Sequence, residues 1–499
     1  LVNGQLVRPV AAPIKAVTIT VGSQEAGGAL VSADQEASDQ AAEVLGLPGG
    51  QSTTPEELQK GMQDAIRLIR SGGQLRPDGG GDANAGAAAG DQASLFMPRR
   101  WSWDQGWLIA SAGHGGLPAP SPRFNRASYN PAVLHVRFTA AEGRTTSALY
   151  DAFLDLTLVP SEGDVSGLRV EVSRLDFAQQ LKTLYRQLAR QDDLNIDDPT
   201  SPSRRLYQLL MEGMEPLLEQ HKVTTLLIAA DQGLQAVPFA ALSDGEGFLG
   251  NRYGLSLTPS LAMLDLSTPG VEEGERLLAL GASEFERLSA LPFVPQEIER
   301  VADGRASDTY LNQAFTPGVL LENAAEAAYS KVHVATHADF KPGGPAKARL
   351  YSGTRPIAMD QLATLRRERQ GVPLDLIVFS ACRTALGDPE SELGFAGLAL
   401  QAGARSAIGT LWYVDDVVTS AFFVQFYRYL DQGVPKAEAL LRTRRLFSSG
   451  GIRLVNDQVL STDGAPLLTE LSPAQRRRIA AGVQNPFFWA GIALVGSPW

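Results

Sequence analysis

From residue 224 onward, short apolar segments alternate with amphipathic helical segments, and this alternation limits the fold more than any other feature. The apolar segments are "TTLLIAA" (224–230), "RLLALGA" (276–282), "KVHVATH" (331–337), "LDLIVFSA" (374–381), "SAIGTLW" (406–412) and "AGIALVG" (490–496). Several of the intervening stretches, such as 294–303, 394–403 and 417–433, carry apolar residues at helical spacing. Continuous apolar strands that alternate with helices indicate a mostly parallel sheet with helices on both faces. The predicted fold class is therefore α/β.

The part of the chain before this alternation divides into two regions of different composition. Residues 1–100 are rich in Gly, Ala, Ser and Gln, and they predict a flexible, low-complexity arm with one short helix at 54–70. Residues 101–202 predict a smaller accessory α/β region with two strands between 129 and 163 and a helix at 176–191. A polar, Pro-containing stretch closes this region, and the main domain is predicted to occupy 203–499.

Composition and charge exclude several classes of protein. No run approaches the roughly 18 consecutive apolar residues of a membrane-spanning helix, so no membrane partner is predicted. The formal net charge of −11 argues against a general nucleic-acid binder, because phosphate contacts require clustered positive charge. The chain has one cysteine and so forms no internal disulfide, which fits a cytoplasmic location. Because the chain begins with Leu1, we expect it to be a trimmed or processed product of a longer one.

Two residues with reactive side chains lie at or just after the ends of predicted strands. His337 ends the segment 331–337, and Cys382 comes directly after the segment 374–381. In parallel sheets, sites form beyond the carboxyl ends of the strands, so neighbouring strands would bring the two side chains to one edge. An imidazole near a thiol raises the thiolate fraction and then protonates a leaving amine. A thiol and imidazole pair of this kind is the candidate catalytic centre.

Other uses of these side chains have weaker support in the sequence. His333 shares a strand face with His337 but lies about 13 Å further from the strand end, and it is predicted to be a buried histidine that forms hydrogen bonds. A zinc site built from His333, His337 and Cys382 would need further ligands that no paired-cysteine or His-Glu-x-x-His pattern supplies. The glycine-rich stretch "DGGGDANAG" also lacks the Gly-Lys-Ser/Thr ending of a phosphate loop. No metal or cofactor is predicted.

The same segments carry a family resemblance. "VHVATHADF", "LIVFSACRTALGD", "GFAGLALQAGARSAIGTLWYVDD" and "NPFFWAGIALVGSPW" follow one another in the order typical of the CHAT domain family, which comprises caspase-like cysteine peptidases related to separase. The resemblance covers roughly 203–499. It implies a caspase-like three-layer sandwich, preceded here by the smaller α/β region and the flexible arm.

The resemblance also implies roles for individual residues. His337 matches the general acid/base and Cys382 the nucleophile, with the backbone N–H groups of Ala338 and Cys382 holding the oxyanion. The family usually has glycine after the histidine, where this chain has Ala338, and often glutamate after the cysteine, where it has Arg383. Alanine supplies the N–H only if its backbone does not need a positive φ.

Specificity and regulation are predicted less directly. Asp415 and Asp416 follow the strand at 406–412 and are interpreted as a helix cap and a first-turn acid. The alternative is that one of them, preferably Asp415, pairs with a basic side chain at P1, the position before the scissile bond. The leading hypothesis is a cysteine endopeptidase acting on protein substrates, with Arg99 and Arg100 as self-cleavage sites or with an activating partner protein. The alternative is a catalytically weak or inactive scaffold with the same fold.

Overall fold

The structure is a computed structural model, and it describes residues 16–17, 23–45, 53–71, 125–141, 143, 145–231, 233–258, 260–261, 264, 276–339, 348–370, 372–382, 403–412 and 415–499. Among the described residues, no helix is both long enough and apolar enough to cross a membrane.

A large mixed sheet forms the centre of the molecule. Its described strands are β1 (Ala16–Val17), β2 (Pro131–Ala140), β3 (Ala152–Pro160), β4 (Ser166–Val172), β5 (Thr225–Ala230), β6 (Gly254–Thr258), β7 (Arg276–Gly281), β8 (Ser307–Leu311), β9 (Tyr329–Asp339), β10 (Arg349–Tyr351), β11 (Pro356–Ala358), β12 (Leu376–Cys382), β13 (Ser406–Thr410) and β17 (Ile492–Gly496). A separate small sheet contains β14 (Arg453–Val455), β15 (Gln458–Leu460) and β16 (Pro466–Leu468).

The order of the strands places two parallel blocks side by side. The path runs β1-β4-β3-β2-β5-β6-β17-β13-β12-β9, after which β9 pairs with β7 along most of its length and with the β10-β11 hairpin at its end. Strands β2, β5, β6 and β17 run parallel to one another, as do β13, β12, β9, β7 and β8. The two blocks meet in the antiparallel pair β17 and β13.

Helices cover both faces of the sheet. They are α1 (Ser23–Leu45), α2 (Pro55–Ser71), α3 (Arg174–Arg190), α4 (Pro202–Leu210), α5 (Glu215–Gln220), α6 (Val294–Ala302), α7 (Pro317–Ala325), α8 (Ala363–Glu368), α9 (Asp416–Asp431), α10 (Lys436–Ser448) and α11 (Pro473–Ala480). Helices α3, α4, α6, α9 and α10 contribute to the largest core cluster, and α7 and α8 to a second one. The α/β sandwich predicted from the sequence, with a mostly parallel centre, is thereby confirmed.

The described residues of the N-terminal region include two helices, where the sequence predicted one. The predicted helix is α2, and α1 precedes it. Residues of both helices, among them Leu30, Leu58 and Met62, are buried in a third cluster against strands β2, β3 and β5. Large apolar residues are scarce in α1, but its small ones allow close packing, since a Cβ on Gly27 would lie 3.3 Å from Pro55 Cγ. The composition of this segment did not predict α1.

Candidate active site

The pairing of β9 with β12 determines where the two predicted catalytic residues lie. The two strands are parallel neighbours, and in their register Cys382 pairs with His337. Neighbouring strands are separated by about 4.8 Å. Each residue lies at or near the carboxyl end of its strand because β12 ends at Cys382 and β9 continues only to Asp339. The sheet thus brings the backbones of these two residues together at one edge.

The His337 ring is held by the segment that links β7 to α6, residues 282–293. His337 Nε2 lies 2.8 Å from the Ser289 carbonyl oxygen, so Nε2–H donates to that carbonyl. The Phe285 ring packs against the imidazole at a centroid distance of 4.9 Å. In the neutral ring, the proton therefore lies on Nε2 and Nδ1 keeps its lone pair. A ring in this tautomer can accept a proton at Nδ1.

The ends of the 282–293 segment are anchored by hydrogen bonds. At one end, the backbone N–H of Ser283 donates to Asn312 Oδ1 at 2.8 Å, and the N–H of Leu291 donates to the Ser283 carbonyl at 2.9 Å. At the other end, the N–H of Phe293 donates to a carboxylate oxygen of Asp416 at 3.2 Å. The contact with Ser289 cannot be predicted from the sequence, because a backbone carbonyl leaves no signature in residue type.

Ala338 follows the histidine in an extended conformation. It belongs to β9, pairs with Leu350 of β10, and is not among the described residues with positive φ. Alanine therefore replaces glycine here without backbone strain. Arg383, the other departure from the family pattern, lies outside the described residues, as do Arg99 and Arg100.

Asp415 caps helix α9. Its carboxylate accepts a hydrogen bond from the backbone N–H of Val418 at 3.3 Å, and Arg478 Nε lies 3.1 Å from its second oxygen. The Arg478 guanidinium also lies over the Phe488 ring, 4.9 Å from its centroid. The helix-cap interpretation of Asp415 is confirmed. A basic P1 side chain would have to take the place of Arg478.

Asp416, the next residue, lies deeper in the protein. Burial raises its pKa to about 7, although the N–H of Phe293 opposes this effect and the charges of Glu297 and Asp415 add to it. The carboxyl group therefore changes charge in the neutral range, at the junction of α6 and α9. The sequence predicted a first-turn acid here or, with less preference than Asp415, an acid for P1.

His333 is buried in the interior, as predicted. Its Nε2 atom lies 2.9 Å from Glu297 Oε1, and both side chains are almost fully buried. Within the described part of the chain, His333 Nδ1 has no hydrogen-bond partner. His333 lies on the same face of β9 as His337, but it contacts helices α6 and α9 and not the sheet edge.

Comparison with known proteins identifies the family. The family model described as the CHAT domain matches residues 200–497. Two crystal structures of the Saccharomyces cerevisiae separase–securin complex, at 3.0 and 2.6 Å resolution, are similar with TM-scores of 0.43 and 0.40 and 11% sequence identity. Each match covers 74% of this chain and 30% of the solved chain, so this protein spans less than a third of that chain's length. The search of curated proteins found no match. Because the family model matches more than half of its residues, this protein belongs to the CHAT domain family.

Proposed function

We propose that the protein is a cysteine endopeptidase in which Cys382 is the nucleophile and His337 the general acid/base. The observation that carries the proposal is the register of β9 and β12, which pairs these two residues at the carboxyl end of the sheet. The hydrogen bond from His337 to the Ser289 carbonyl supports it, because that contact keeps the Nδ1 lone pair available.

The proposed reaction has two stages. His337 Nδ1 takes the thiol proton, and the Cys382 sulfur attacks the scissile carbonyl carbon. The backbone N–H groups of Ala338 and Cys382 stabilise the oxyanion, and the imidazolium then gives its proton to the departing amine, which leaves a thioester. In the second stage, His337 removes a proton from water, and the resulting hydroxide attacks the thioester carbonyl carbon. The carbon–sulfur bond then breaks, the acid product leaves, and the sulfur takes the proton back from His337.

Thiol labelling tests the pair without knowledge of the substrate. Because Cys382 is the only cysteine, alkylation by iodoacetamide reports on this one sulfur. An activated thiol reacts with a pH midpoint below the value of about 8.5 for free cysteine. We expect such a midpoint in the wild type and its return toward that of free cysteine in His337→Ala. Cys382→Ala, with no thiol to label, is the blank.

Loss of protein cleavage in both His337→Ala and Cys382→Ala would support the proposed endopeptidase. The alternative function is a catalytically weak or inactive scaffold, and the observation that favours it is the burial of His337, which is only 9% exposed. Slow labelling of the wild type, with a midpoint near that of free cysteine, would establish the scaffold. If the protein is an active peptidase, a partner protein would open this edge of the sheet to protein substrates.

We also propose a preference for basic residues at P1, recognised by Asp415. Arg478 forms an ion pair with the Asp415 carboxylate, so a substrate arginine would compete with Arg478 for it. We expect Arg478→Ala to raise turnover of a peptide with P1 arginine relative to peptides with P1 leucine or aspartate, and Asp415→Asn to remove the preference. Equal turnover of the three peptides by the wild type would contradict the proposal.

Self-cleavage after Arg99 or Arg100 is a separate proposal. It would appear in the intact mass of the wild type and not in that of Cys382→Ala.

A further inference from the structure

A buried polar cluster joins helix α6, strand β9 and helix α9. Glu297 of α6 is 1% exposed, with Oε1 2.9 Å from His333 Nε2 and Oε2 accepting a hydrogen bond from Ser420 Oγ at 2.7 Å. The His333 ring packs edge-on against Phe423 and Tyr427 of α9, at centroid distances of 5.6 and 5.4 Å. One carboxylate thus links all three elements.

Stability alone is a weak explanation for this cluster. Taking a carboxylate out of water is costly, and replacement of a buried ionic group by apolar residues of similar volume is often neutral or stabilising. Two aromatic rings flank His333, and its Nδ1 atom has no hydrogen-bond partner among the described residues. A nearby element that must keep a fixed position gives a better explanation.

Helix α6 provides the connection to the candidate active site. It begins at Val294, directly after the 282–293 segment whose Ser289 carbonyl holds His337. The backbone N–H of Glu297 donates to the Phe293 carbonyl at 2.8 Å, so the carboxylate lies one turn from the end of that segment. Helix α6 also packs tightly on β7, since a Cβ on Gly281 would lie 2.7 Å from Val294 Cγ1.

We propose that Glu297, held by His333 and Ser420, is a positioning residue that fixes α6 and thereby the Ser289 carbonyl that orients the His337 ring. This inference rests on the proposed pairing of His337 with Cys382. If the carboxylate is lost, α6 keeps its apolar packing but loses the polar contacts that fix it against β9 and α9, and the Ser289 carbonyl determines the tautomer of His337 less strictly. The imidazole then accepts the thiol proton less effectively.

The test is the pH profile of Cys382 alkylation by iodoacetamide in the full chain. We expect Glu297→Gln, which keeps the side-chain volume, to lower the rate at pH 7 roughly tenfold and to move the midpoint about one pH unit toward that of free cysteine. The matched control is Glu171→Gln, in which another buried carboxylate also accepts hydrogen bonds from neutral donors, the N–H and hydroxyl of Thr146. The control should keep the wild-type profile.

Ser420→Ala provides a second, milder variant that decides the matter if Glu297→Gln does not fold. It removes one hydroxyl and no charge. Burial raises the pKa of the nearby Asp416 to about 7, so a change of charge beside it could alter the pH profile by itself. Because Ser420→Ala changes no charge, a shift in the alkylation profile of this variant cannot have that cause. We expect a smaller shift than in Glu297→Gln, in the same direction. Folding of each variant is checked by circular dichroism at the pH of each measurement.

The outcomes separate this inference from the proposed function. If Glu297→Gln and Ser420→Ala lower thermal stability but keep the wild-type profile, the cluster is structural and the inference is wrong. The same holds if Glu171→Gln shifts the profile equally. If His337→Ala itself leaves the profile unchanged, the failure is that of the proposed pairing with Cys382, whatever Glu297 does.

Discussion

At the scale of single residues, strand position decides what a histidine can do. His333 and His337 lie four residues apart in β9 and so occupy the same face of the strand. His333 bonds to the Glu297 carboxylate in the interior, whereas His337 bonds to the Ser289 carbonyl where β9 approaches its end. Only the second arrangement lies in register with Cys382. The chemical difference between two identical side chains thus arises from where the strand ends.

Asp415 allows the contributions of a helix cap and an ion pair to be separated. Asp415→Ala removes both the bond to the Val418 N–H and the pair with Arg478, and it should lower the free energy of unfolding by about 0.5–2 kcal/mol. Asp415→Asn keeps an acceptor for the cap and loses only the partly exposed ion pair, which should cost less than about 1 kcal/mol. Urea denaturation of the three proteins measures this difference. Equal losses in both variants would show that the cap contributes nothing.

The sequence predicted the residues of the candidate site better than their surroundings. His337, Cys382 and the two alternative roles of Asp415 follow from residue type and position relative to strand ends. The contacts of Ser289, Phe285 and Glu297 do not, because they depend on how the 282–293 segment and α6 fold back over β9. Glutamate usually faces solvent, so residue type argues against burial of Glu297. Its spacing from Val294, Ile298 and Val301 nevertheless places it on the apolar face of α6, a signal that could have found it.

At the scale of elements, the junction of α6 and α9 gathers acidic groups in a poorly solvated place. Asp416 at the start of α9 accepts the Phe293 N–H, and Glu297 lies in the first turn of α6. Burial raises the pKa of Asp416 from 3.8 to about 7. The folded protein therefore keeps a proton on Asp416 that the unfolded chain releases above about pH 4.

This difference predicts a dependence of stability on pH. Between about pH 4 and 7 the folded state binds more protons at Asp416 than the unfolded state, so the free energy of unfolding falls as pH rises, by about 1.4 kcal/mol per pH unit from this group. Above about pH 7 both states have released this proton, so Asp416 no longer changes the free energy of unfolding as pH rises. Asp416→Asn keeps an acceptor for the Phe293 N–H and removes the titration. Relative to the wild type, this variant should gain stability from pH 5 to pH 8, measured by urea denaturation. A constant difference across that range would contradict the prediction.

Elements with a strong sequence pattern were predicted, and elements that depend on packing were not. The six apolar segments correspond to β5, β7, β9, β12, β13 and β17, and the helical patterns at 294–303 and 417–433 to α6 and α9. Except for Gly403, the predicted helix at 394–403 lies outside the described residues. Short strands such as β10 and β11 carry too few residues to show alternation. Helix α1 lacks a strong apolar stripe and is held by small residues and by Asp34, which accepts the N–H of Leu261 at 2.6 Å.

At the scale of the whole molecule, one sheet and one core extend across residue 203. Strand β2 from the lead-in region pairs in parallel with β5 of the main region along six residues of each strand. The largest core cluster contains Leu134 of β2 as well as Leu440 of α10, and both are fully buried. Separate unfolding of the two regions would break this shared sheet and expose the edge of β5. We therefore expect them to unfold together.

Leucine truncation on each side of residue 203 tests this cooperativity. Leu134→Ala and Leu440→Ala each leave a cavity in the same core and should each cost about 2–5 kcal/mol. In differential scanning calorimetry at one scan rate, both variants should lower the same transition by several degrees. Leu175→Ala, at a position that is 69% exposed, should leave it unchanged. Two transitions, with Leu134→Ala moving only one and Leu440→Ala only the other, would show that the lead-in and main regions are independent despite the continuous sheet.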